Sequence, residues 1–76
     1  MNEKQIWQTI ALDLKRAANY MWQDSEAKAK YYLDEAQSLF KTQKVVGLLK
    51  NIKPYIKFTG DPEDILLGSS LISTRI

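Results

Sequence analysis

The chain has 76 residues, of which 45% are hydrophobic and 26% charged, and a formal net charge of +2. That length holds one domain, small enough to bury only about 60% of the surface its unfolded chain exposes, so a partner subunit often supplies the rest of the cover. With no Cys and no His, the chain has no disulfide, no thiolate nucleophile, no Cys-based zinc site and no imidazole ligand or general base.

The start, Met1-Asn2-Glu3-Lys4-Gln5, is acidic and polar where a secretory signal needs a basic stretch and then an apolar run. The longest nearly apolar run, Ile65 to Ile72, is interrupted by Gly68, Ser69 and Ser70, whereas a membrane span takes about 20 such residues. A cytoplasmic location without an integral membrane segment is the default expectation.

Neither Pro nor Gly occurs between Glu3 and Gln23. At about 100° per residue, Ile6, Ile10, Leu14, Ala17 and Met21 share one face, Trp7, Ala11, Ala18 and Trp22 widen it on one side, and Tyr20 on the other. The pattern predicts a helix over about 3–23 whose apolar arc covers roughly half the circumference and touches two neighbours. Trp7 and Trp22, on one flank of the arc, are expected in the core or a subunit interface. Asp13, at its edge, is expected to pair with Arg16 in a routine surface contact.

Asp24 and Ser25 are both good N-caps, and Glu26 suits the positive end of a helix dipole, so a second, antiparallel helix is predicted over about 25–41. Ala29, Tyr32, Leu33, Ala36, Leu39 and Phe40 line one face of it, and Lys28, Lys30, Asp34, Glu35, Gln37, Ser38 and Lys41 the other. Tyr31 falls on the polar face, which makes it the best single candidate for a partner contact. The stretch 27–36, where small residues alternate with aromatics, resembles helices of tetratricopeptide repeats and of HEPN-type bundles. The first would imply a repeat near 34 residues, which the chain lacks, and HEPN ribonucleases use an Arg and a His, of which the His is missing. No family is assigned on that likeness.

Thr42-Gln43-Lys44 reads as a tight connection into a third helix over about 44–58, with Val45, Leu48, Leu49, Ile52, Tyr55 and Ile56 as its apolar stripe. Pro54 removes an N–H and crowds the carbonyl at Lys50, so a kink or break is expected near residues 53 and 54. Thr59-Gly60 is a stop signal, and Asp61-Pro62-Glu63-Asp64 restarts the chain as a short fourth helix over about 62–71. The last residues, 72–76, are compatible with fraying, a strand, or docking on another subunit.

Charge is distributed unevenly. Residues 37–60 hold Lys41, Lys44, Lys50, Lys53 and Lys57 and no acid, a local charge of +5. On a helical projection Lys50, Lys53 and Lys57 cluster opposite the apolar stripe, so that face, with Lys44, suits phosphates read by charge alone, or anionic lipid. Solvation of an exposed face is the blander reading of the same lysines.

No catalytic constellation is evident. Asp34 and Glu35 are adjacent and diverge, while Asp61, Glu63 and Asp64 are accounted for by helix initiation and lack the spacing of a calcium loop. Gly47, Gly60 and Gly68 are isolated, which argues against a phosphate loop or a dinucleotide fingerprint. No cofactor, metal or small-molecule substrate is therefore expected.

Taken together, the sequence predicts an all-α fold, a single helical domain over 1–76. Two long antiparallel helices are joined by a third kinked near Pro54 and a short C-terminal one. The function expected is that of a non-enzymatic protein–protein interaction module, homo-oligomeric (preferably a dimer) or a small subunit docking on a larger protein. Trp7, Trp22, Tyr31, Leu66 and Leu67 are its candidate contacts. The alternative is a nucleic-acid-associated protein using Lys44, Lys50, Lys53 and Lys57.

Overall fold

A computed structural model of the chain describes residues 3–42 and 53–75. They form three α-helices, α1 (Glu3–Trp22), α2 (Glu26–Lys41) and α3 (Pro62–Arg75), with a 3₁₀ turn at Lys53–Tyr55 before α3. No strand occurs among the described residues. The radius of gyration, 11.5 Å, is close to the about 11 Å expected of a folded chain of this length.

α1 is the central element and packs against both α2 and α3. Its apolar arc is wide because it serves two neighbours: Trp7, Ile10, Ala11, Leu14, Ala17 and Ala18 are all buried. On α2 the fully buried positions are the small residues Ala29 and Ala36, with Leu33, Leu39 and Phe40 packed partly against the core. The side-chain pairs Tyr20–Tyr32, Asp13–Glu35 and Trp7–Phe40 step in opposite directions along the two helices, so α1 and α2 are antiparallel. On α3, Ile65, Gly68, Ser69 and Ile72 are buried, spaced as one face of a helix requires. A Cβ built on Gly68 would lie 3.5 Å from the Ile56 backbone and 3.6 Å from Leu14, so this glycine lies where α3 passes close to both.

The α1–α2 connection differs from the expected pair of N-caps. The Asp24 amide donates to the Met21 carbonyl and the Ser25 amide to that of Tyr20, and Asp24 itself has φ 57°. This is a Schellman ending of α1 in which Asp24 occupies the left-handed position usually given to Gly. Ser25 takes the N-cap position of α2 without a side-chain capping bond, although its carbonyl accepts from the Ala29 amide.

Three further expectations change. The helix over 44–58 does not extend through its described part: Lys53–Tyr55 is a 3₁₀ turn, closed by the Ile56 amide on the Lys53 carbonyl, and residues 56–61 are irregular. Pro54 within the turn gives the reason, since it removes a helical donor; the rest of that segment lies outside the described residues. Tyr55, expected on an apolar stripe, is 58% exposed, while Ile56 reaches the core. The last helix runs four residues past its predicted end at Leu71, to Arg75, because Ile72 continues its buried face. The restart itself forms at Asp61, whose carbonyl accepts from the Ile65 amide, with Pro62 as the first helical residue.

Candidate interaction surface

Aromatic rings occupy two layers of the hairpin. Inside, Trp7 is 1% exposed and meets Phe40 edge-on at 5.7 Å, and Phe40 meets Phe58 at 5.3 Å. Trp7 is thus a core residue with no face left for a partner, and its Nε1–H has no acceptor among the described residues, an energetic cost accepted for the ring's buried area. Trp22, the other member of the predicted pair, is 51% exposed at the last residue of α1.

The outer layer lies along one edge of the hairpin. Tyr20 of α1 and Tyr32 of α2 stack with centroids 5.7 Å apart and planes 2° from parallel. Tyr31 meets Tyr32 edge-on at 5.1 Å and remains 62% exposed. Two cations flank the rings, Arg16 at 5.7 Å from the Tyr32 centroid and Lys28 Nζ at 5.3 Å from that of Tyr20, both within cation–π range. Tyr31 was legible from its helical phase. Its supporting stack was not, because Tyr20 read simply as the edge of one apolar arc and Tyr32 as part of another apolar face.

The sequence misplaces one residue of the α1–α2 interface. Asp13 is no surface partner of Arg16: it is 2% exposed, because α2 closes over the edge of the arc. Burial raises its carboxyl from 3.8 to about 7; a hydrogen bond to Glu35 of α2 and the charge of that carboxylate push the same way, and Arg16 pulls against them. One carboxyl oxygen, Oδ2, has no hydrogen-bond partner among the described residues. On the opposite side, Ser69 Oγ donates to the Ala11 carbonyl at 2.6 Å, a buried tie between α3 and α1.

Open grooves flank the helices, two of them lined by described residues of more than one element. One of about 340 Å³ lies between α1 and α3, lined by Gln8, Ala11, Leu12, Lys15, Ser69 and Ser73. The other, about 390 Å³, is lined chiefly by Met21, Ala29, Leu33 and Phe58, with Glu26, Lys30 and Asp34 among its polar residues. Leu67 is 50% exposed and Leu66 packs partly on the core, so these neighbours point apart. Of the lysines, Lys53 and Lys57 are exposed. They do not share an α-helix, so the helical projection that grouped them fails; Lys44 and Lys50 lie outside the described residues.

Among the described residues no group of three or more Asp, Glu, His or Cys could hold a metal ion, and no helix is long and apolar enough to cross a membrane. No protein-family model, curated protein or solved structure matches the chain.

Proposed function

We propose that the chain is a non-enzymatic interaction module that pairs with a second copy of itself through the tyrosine edge of the α1–α2 hairpin. The observation that carries this is Tyr31, an exposed ring held in place by Tyr32 and, through it, Tyr20. A ring already fixed loses little freedom on docking, and aromatic side chains so placed supply much of the binding energy at protein interfaces. The edge is also self-complementary in charge. Lys28 and Asp34, both exposed, each stand three residues from Tyr31, neighbours on the helix surface, and a two-fold interface must set one patch against itself. Light scattering at low and high salt tests this: a dimer whose mass is insensitive to salt supports the reading, and a monomer at high concentration refutes it.

A second reading rests on the segment before α3. Lys53, Tyr55 and Lys57 are exposed at alternate positions, an arrangement that offers a ring to stack on a base and two ammonium groups to its phosphates. Nucleic acid that co-purifies, is released by salt, and is lost on replacing Lys53 and Lys57 by Glu would favour this reading over self-pairing.

A further inference from the structure

The pair Asp13 and Glu35 serves neither docking reading, and a buried acid on the central helix of so small a chain calls for an explanation. Asp13 is 2% exposed and faces Glu35 across the α1–α2 interface. Two carboxylates cannot hydrogen-bond to each other without a proton between them. We infer that Asp13 and Glu35 form a proton-held latch: Asp13 keeps its proton and donates it to the Glu35 carboxylate, and losing it loosens the packing of α2 on α1.

The surroundings favour the protonated form. As a neutral acid, Asp13 leaves in Oδ2 an unpartnered carbonyl-like oxygen, far cheaper to bury than a carboxylate. The charged groups acting on Asp13 are Glu35 from α2, which opposes ionisation, and Arg16 from α1, which favours it. Arg16 is engaged over the Tyr32 ring at 5.7 Å, and desolvation is the largest influence on the acid. The charges of α3 stand in its first turn, Glu63 and Asp64, and its last, Arg75. Once ionised, Asp13 would place a second negative charge against Glu35 with no donor between them, and the interface would lose a hydrogen bond and gain a repulsion.

The consequence runs opposite to ordinary acid denaturation. The folded chain holds this proton from 3.8, where the acid titrates when free, up to about 7. Between those values the folded state binds more protons than the unfolded one, so stability is highest at the acid end, declines as pH rises, and levels off above the upper value. One proton changes the unfolding constant by up to about tenfold per pH unit.

Two measurements on the whole chain, at one fixed concentration, test the latch. The first follows the ¹³C carboxyl resonance of Asp13 in the native protein, which needs no variant. The second is urea unfolding from pH 4 to 8 for the native chain and for Asp13→Asn, whose amide can donate to Glu35 at every pH. The expected result is a carboxyl that titrates near neutrality and an unfolding constant that rises with pH in the native chain relative to Asp13→Asn. Titration in the ordinary aspartate range overturns the proposal, and so does a shared pH course for the two proteins.

Discussion

Replacing Ile72 with Ala tests how α3 closes the core. Ile72 has no exposed surface and stands in the second half of α3, on the face shared with Ile65, Gly68 and Ser69. The substitution removes three carbon groups, about 2.4 kcal/mol at about 0.8 kcal/mol each, and the cavity left behind raises the loss to about 3–4 kcal/mol. A chain of 76 residues is stable by about 4–11 kcal/mol in all, so the variant should lie close to its unfolding threshold and melt more than about 10 °C lower. Urea unfolding followed by far-ultraviolet circular dichroism measures the loss, with an unchanged slope showing that the same surface is exposed. A loss under about 1 kcal/mol, in the range of mild substitutions, would mean that Ile72 is not enclosed and that the second half of α3 does not dock on α1.

Two stabilising substitutions follow from backbone geometry. Gly68→Ala should gain about 0.5–1 kcal/mol from helix propensity, because its new Cβ meets Ile56 and Leu14 at 3.5–3.6 Å, ordinary contact distances; Gly68→Leu should destabilise, and thermal melts of both read the sign. Asp24→Gly should raise the urea midpoint by the equivalent of about 0.5–1 kcal/mol, since Asp24 has φ 57° and an L-residue pays for that conformation.

The parts of the fold legible in the sequence are those set by local rules. α1 and α2 announce themselves through uninterrupted apolar periodicity, and α3 through Asp61-Pro62-Glu63-Asp64. What escaped depends on contacts between elements. Asp13 sits at the margin of the apolar arc, and only the approach of α2 decides that it is buried. Asp24 suits both an N-cap and a left-handed turn, and the amide bonds of Asp24 and Ser25 back to α1 select the second. Ile72 follows Ser69 and Ser70, which suggest an ending, yet Ser69 turns inward and finds the Ala11 carbonyl as its acceptor. Pro54 marks a place where a regular α-helix is not kept, since Lys53–Tyr55 is a 3₁₀ turn, but that Ile56 reaches the core while Tyr55 is exposed is a tertiary fact. For the candidate surface, helical phase marks Tyr31, whereas its support by Tyr32 and Tyr20 is a tertiary fact.

The most direct test of self-pairing is sedimentation velocity on the native chain and Tyr31→Ala across a concentration series. Tyr31 is largely exposed, so the variant should keep its circular dichroism spectrum. If the tyrosine edge is the contact, the native chain sediments as a dimer and the variant's dissociation constant is weaker by at least about thirtyfold, the equivalent of a residue contributing about 2 kcal/mol. A native monomer throughout, or a dimer that the substitution leaves unchanged, would contradict the account.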